Sequence, residues 1–327
     1  MELTTMIISA VCALCPIQPE VDPMMLTRRR LIAISAVLAA VPAAAYANTR
    51  SRFWTGQALG ARASIRLDHP DAEAIVTRVM AEIDRLENTL SLYRPHSALS
   101  RLNRDGHLDA PPFELLECLS LASAVHRASG GRFDPTVQPL WTLWAESAAS
   151  GGRPDAKAVE RARANTGWGK VKLEAAAITL YPGMALTLNG IGQGYVADRV
   201  AVLLDAEGLT DILIDTGELR ALGGRPEGGE WPVRLETGGR LALRQRALAT
   251  SAPLGTTFDQ AGRDGHILDP ATGMPAPANW RAISVSAPSA AIADALATAA
   301  CLMPDAGSIL AMIGRFEGAR LEGFSAP

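Results

Sequence analysis

Four short strings carry residue types that could do chemistry. The first is Asn189-Gly190-Ile191-Gly192-Gln193-Gly194-Tyr195, set between the strand-like Leu186-Thr187-Leu188 and a helical pattern. Glycines let backbone N–H groups approach an anion, and the N-terminus of the following helix adds partial positive charge. The string therefore suits a phosphate cradle, although the same glycines serve any strand-to-helix turn. The second is Ala293-Asp294-Ala295-Leu296-Ala297-Thr298, in which Asp294 and Thr298 stand at i and i+4. That spacing projects a carboxylate and a hydroxyl from one helical face. Such a pair fits a hard cation like Mg²⁺, which draws its remaining ligands from phosphate and water. A helical Thr also bonds back to the carbonyl four residues earlier, but an Asp in an Ala-rich apolar helix requires a partner.

The third string, Asp264-Gly265-His266-Ile267-Leu268-Asp269-Pro270-Ala271-Thr272-Gly273, is expected to hold His266 in a short strand before a turn. Of the five histidines it is the best surrounded by polar groups and the natural candidate for a general base. The fourth is a matched pair, Ser91-Leu92-Tyr93-Arg94-Pro95-His96-Ser97 and Gly131-Arg132-Phe133-Asp134-Pro135-Thr136. Tyr93 and Phe133 stand ahead of prolines in extended segments, as pocket-rim aromatics or as core. GxSxG, HExxH, a Walker loop and GxGxxG behind a strand are all missing, and the histidines are too scattered for a zinc cluster.

These strings need elements to hold them. Residues 62–67 read as a strand, and Ile75, Val79, Ile83, Leu86 and Leu90 recur at helical spacing behind Pro70. Helices are expected over 112–129, ending at Gly130-Gly131, and over 155–165. Short strands are expected near 170–173, 177–181 and 186–188, and a helix runs from the glycine string to about Leu204. Alternating segments between 211 and 250, a strand over 282–287, a helix from Ser289 to Leu302, and a last helix and strand complete the chain. Strands and helices interleave without a regular βα rhythm, which predicts an α+β fold.

Composition narrows the class. The chain has 327 residues, a net charge of −3, 48% hydrophobic and 20% charged residues, which excludes a disordered chain and a coiled coil. It also lacks the basic footprint of a sequence-independent nucleic-acid binder. Only Lys157, Lys170 and Lys172 are lysines, so few are available as bases or Schiff-base nucleophiles. Near the start, Arg28-Arg29-Arg30 precedes an apolar run from Leu31 to Val41 and then Ala45-Tyr46-Ala47. This is the pattern of a cleavable signal peptide, of twin-arginine or Sec type, and predicts export to the periplasm. The expected organisation is residues 1–47 as extension and signal, and 48–327 as one domain. Cys12-x-x-Cys15 falls in the discarded part, while Cys118 and Cys301 are expected as buried thiols.

Taken together and in order, SLYRPHSALSRLN, GGRFDPTVQPL, GIGQGY, ILIDTGE, HILDPATG and ADALAT resemble the ApbE family of FAD:protein FMN transferases. The resemblance runs from about residue 53 to the C-terminus. It implies a single T-fold-like α+β domain of mixed or antiparallel sheets packed with helices. It implies transfer of the FMN half of FAD to a Thr or Ser hydroxyl of an acceptor flavoprotein, with Mg²⁺ required and AMP released. By position, Leu59, Tyr93, Arg132, Phe133, Asp134, Thr187, Gln193 and His266 would contact FAD. Gly190, through its carbonyl, Asp294 and Thr298 would hold Mg²⁺, and His266 would help deprotonate the acceptor hydroxyl. Thr187 stands where relatives usually carry Asp, and Gln193 where many carry Lys or Glu. These two departures leave open a flavin-binding assembly protein without transferase activity, or a metal-dependent FAD pyrophosphatase. Gln193 and the twin-arginine-like signal also resemble the subgroup that serves nitrous-oxide-reductase maturation by flavinylating a membrane protein.

Overall fold

The structure, a computed structural model, describes residues 52–326 apart from 60, 68, 226 and 227. The signal-like segment and Cys12-x-x-Cys15 lie outside the described residues. A seven-stranded sheet forms the centre, in the order β1 (Arg52–Ala58), β2 (Ala61–Leu67), β6 (Ile212–Asp215), β7 (Leu219–Leu222), β10 (Ala247–Ser251), β11 (Ala282–Ala287) and β12 (Arg320–Ser325). Every neighbouring pair in it is antiparallel. A three-stranded sheet of β3 (His107–Asp109), β5 (Ala177–Thr179) and β4 (Lys172–Leu173) and a hairpin of β8 (Trp231–Arg234) and β9 (Arg240–Leu243) flank it. The fold is α+β, as the lack of a βα rhythm predicts.

Helices α1 (Ala72–Leu90), α2 (Ala98–Asp105), α3 (Phe113–Ala128), α4 (Gln138–Ala149) and α5 (Ala156–Ala164) precede the glycine string. Helices α6 (Gly192–Ala206), α7 (Ala290–Ala300) and α8 (Ala306–Ile313) follow it. The apolar stripe of α1 (Ile75, Val79, Ile83, Leu86 and Leu90) is wholly buried, as its 3.6-residue period dictates. Helix α7 packs on β10 and β11 below and on α3 and α6 beside. Its alanines at 290, 291, 293, 295, 297, 299 and 300 are fully buried, so small side chains let a helix occupy the centre of the core. Cys118 and Cys301 are free and buried.

Two features fasten α6 to α7. A Cβ on Gly194 would come within 2.3 Å of the Ala290 carbonyl oxygen, so only glycine permits this approach. Asp198, one turn further along α6, takes hydrogen bonds from the Ala290 N–H (2.9 Å), the Ala291 N–H (3.0 Å) and the Ser289 hydroxyl (2.7 Å). The Arg220 guanidinium donates to the same carboxylate at 3.2 Å. One carboxylate thus caps the positive end of α7 and ties it to α6 and β7.

Some expected elements differ. Residues 186–188 form no strand: the Asn103 side chain takes the Leu186 N–H (2.7 Å) and donates to its carbonyl (2.8 Å), satisfying the bonds a neighbouring strand would make. His266 lies in a bend beside the bridge between Thr257 and Gly265, not in a strand. Helices α2 and α4 are absent from the sequence reading. Among the described residues no helix is long and apolar enough to cross a membrane.

Replacing Asp198 with Ala leaves the first N–H groups of α7 and Arg220 without their partner. A loss of roughly 2–3 kcal/mol is expected, read as a lower denaturation midpoint in urea. An unchanged midpoint would remove Asp198 from this role.

Candidate active site

The segment after α3 is fixed before any ligand arrives. The Ser129 hydroxyl accepts from the Phe133 N–H at 3.0 Å, and His126 Nδ1 lies 2.8 Å from the Phe133 carbonyl. Asp134, buried, accepts from the Thr136 N–H (2.8 Å) and hydroxyl (2.6 Å) and from the Trp168 N–H (3.2 Å). Its carboxylate is therefore consumed in holding the turn that ends in Val137. The Pro135 carbonyl takes the Thr187 N–H at 2.8 Å, which ties this segment to the strand-like approach to the glycine string.

These pieces meet around a cavity of about 640 Å³. Arg132, Phe133 and Asp134 line one side, and Thr187, Gly190 and Gln193 another. Asp294 and Thr298 enter from α7, and His266 from the loop after β10. Leu59 and Tyr93 do not line it. Leu59 sits in the β1–β2 turn at φ +50°, with its N–H on Glu87 Oε1 at 2.8 Å and its side chain against Gly192. Tyr93 is 51% exposed, and its neighbour Arg94 pairs with the same Glu87. Glu87 thus holds the Leu59 N–H and the Arg94 side chain outside the cavity wall. A second hollow of about 510 Å³, between Pro154, Val159, Arg163 and Met274, takes in only Ala271 and Thr272 of the quoted strings.

Asp294 is the only charged side chain of α7 and is 4% exposed. A long 3.4 Å bond from the Gly194 N–H is its single hydrogen bond among the described residues, and burial pushes its carboxyl well above the usual carboxylate range. Thr298 stands one turn on, 3.3 Å from the Ser251 hydroxyl. A Cβ on Gly190 would meet the Thr298 side chain at 3.1 Å, so the Gly190 backbone lies directly against that hydroxyl. A buried carboxylate, a hydroxyl and a backbone carbonyl are hard oxygen donors, and the carboxylate lacks a protein cation. The set fits a small divalent cation. Among the described residues no three His, Cys, Asp or Glu side chains cluster to complete a metal site, so such a cation must draw further ligands from water and substrate.

His266 Nδ1 lies 3.0 Å from the Thr256 carbonyl, which can only accept. That places a proton on Nδ1 of the neutral ring, and the Pro253 carbonyl also hydrogen-bonds the imidazole. Burial lowers the imidazole below its ordinary pKa, so the ring is neutral and basic at neutral pH.

The sequence reading misses Glu218, Glu236, Ser251 and Trp141, which also line the cavity. Burial, and after it the Asp294 charge, raises the Glu218 carboxyl well above the usual range. Glu218 closes the quoted string ILIDTGE, so an acid directly after a strand-end Thr-Gly was the available signal.

Residues 59–318 match the ApbE family. The chain belongs to that family. An FAD:protein FMN transferase of Chlamydia pneumoniae is 31% identical over 237 residues, covering 68% of this chain and 73% of that one. One of Treponema pallidum is 30% identical over 290 residues, 79% of each. The apo crystal structure of Pseudomonas stutzeri flavinyl transferase ApbE is 29% identical, with TM-score 0.71 over 81% of this chain and 88% of that one. The ApbE protein of Thermotoga maritima shares the fold, with TM-score 0.74 over 84% and 96% of the two chains at 24% identity.

A raised carboxyl must ionise before it can ligate a cation, so cation binding releases a proton and strengthens as pH rises. The melting temperature should therefore gain more from added Mg²⁺ at about pH 8 than at about pH 6. Asp294→Asn should abolish the gain at both. An equal gain at both pH values would contradict the site.

Proposed function

We propose that this chain transfers the FMN portion of FAD to a Thr or Ser hydroxyl of an acceptor flavoprotein and releases AMP. Asp294, Thr298 and the Gly190 carbonyl would hold the Mg²⁺. The supporting observation is the convergence of the glycine string, the Asp294–Thr298 face and a neutral His266 on one cavity. Membership of the ApbE family points to the same chemistry.

In this reaction the acceptor oxygen attacks the FMN phosphorus. The bond from that phosphorus to the bridging oxygen breaks, and AMP leaves with the electron pair. His266, kept neutral by burial, takes the hydroxyl proton. Mg²⁺, when bound, withdraws charge from the phosphate oxygens. The chain's own residues do the positioning: α7 aims Asp294 and Thr298, Gly190 presents backbone without a side chain, and Phe133 walls the cavity. Phosphoryl transfer asks mainly for such positioning and charge stabilisation.

The acceptor we propose is an exported or membrane-bound flavoprotein met in the periplasm. The arginine-led, small-residue-ended segment over 24–47 supports this reading. Components of nitrous-oxide reduction are the acceptors to try first.

Purified chain, FAD, Mg²⁺ and an acceptor should give a mass gain of one FMN phosphoester and in-gel flavin fluorescence after denaturation. Asp294→Ala should abolish it, and His266→Gln should slow it on the order of 10²–10⁴-fold. The rate should fall as pH drops through the His266 pKa, which lies below 6.5. FMN and AMP appearing without an acceptor would identify a pyrophosphatase instead. FAD binding with neither product would identify a flavin-binding assembly protein.

A further inference from the structure

The charges facing the cavity do not balance for an anionic substrate. Glu218, Glu236 and Asp294 line it as carboxyl groups, and Asp134 is tied to Thr136 and Trp168. The string 189–194 contains neither Lys nor Arg, so its contribution to anion binding is backbone N–H alone. Among the described lining residues, one side chain carries a permanent positive charge: Arg132.

Arg132 is half-buried, and among the described residues its guanidinium makes one hydrogen bond, from Nη1 to the Leu302 carbonyl at 2.8 Å. None of the ion pairs of the described residues involves it, so most of a five-donor fork remains unspent. The anchor is informative. Leu302 lies in the turn just past the end of α7, the helix that carries Asp294 and Thr298, and lines the same cavity as they do. The guanidinium is thus pinned at the C-terminal end of α7, next to Phe133, whose backbone is locked by Ser129 and His126.

We infer that Arg132 is the pyrophosphate-binding residue of this cavity. It supplies, from the C-terminal end of α7, the positive charge that the glycine string lacks. This rests on FAD being the substrate and names the side chain that selects it over flavins without phosphate. A planar fork with several free donors matches two adjacent phosphate groups better than a point charge does.

Titration calorimetry with FAD, ADP and riboflavin tests the assignment. Arg132→Gln should weaken FAD and ADP, which share the pyrophosphate, by about tenfold or more. Riboflavin binding and the melting temperature should stay unchanged, and Arg132→Lys should restore part of the affinity. Arg132→Gln binding FAD and ADP like the wild type would overturn the inference. So would an equal loss for riboflavin, which would mark a merely structural residue. A wild-type protein that binds no FAD would instead contradict the proposed function, so the two failures are distinct.

Discussion

The Asp198 carboxylate is the joint on which the site depends. It accepts from two backbone N–H groups and the capping hydroxyl at the start of α7, and from Arg220 on β7. These bonds lock the rotation and height of α7 against α6, and α6 begins in the glycine string itself. Once both are set, three donors from distant parts of the sequence fall together: the Gly190 backbone, Asp294 and Thr298. Gly194 makes the arrangement possible, because a methyl group there would collide with the Ala290 carbonyl. The alanines of α7 do the same on its other faces by letting strands and helices close around it.

That packing leaves a deliberate electrostatic imbalance. A core helix of alanine carries a carboxylate 96% hidden from solvent, with one long hydrogen bond and a second raised carboxyl, Glu218, at the same cavity. A buried charge of this kind is costly unless a cation answers it. The protein answers other acids internally: Asp264 has Arg153 at 2.5 and 2.6 Å, and Asp198 has Arg220. Among the described residues Asp294 has no such partner, which is what a ligand for an incoming metal requires. His266 shows the same logic in reverse, with burial keeping it neutral and the Thr256 carbonyl holding its Nδ1 side.

Much of this was legible in the residues. The i, i+4 pairing of Asp294 and Thr298 stood out because an acid in an alanine helix has few structural excuses. The helix after the glycine string followed from simple periodicity. What stayed hidden was long-range. Nothing local reveals that Asn103 would stand in for a strand at Leu186, or that Leu302 would pin Arg132 across 170 positions of sequence. Tyr93 and Phe133 look alike in sequence, each ahead of a proline. Phe133 is buried at the cavity, whereas Tyr93 is exposed beside the Glu87–Arg94 pair. Glu218 was overlooked because an acid after a strand usually faces solvent, and only the tertiary fold turns it inward.

The central claim is that a divalent cation and the pyrophosphate meet between α7 and the glycine string. Crystals soaked with Mn²⁺ and FAD, measured at the manganese absorption edge, test it most directly. The account predicts an anomalous peak in contact with Asp294, Thr298 and the Gly190 carbonyl, with the phosphates of FAD reaching it. A peak elsewhere, or FAD bound with its phosphates turned away from α7, would contradict it.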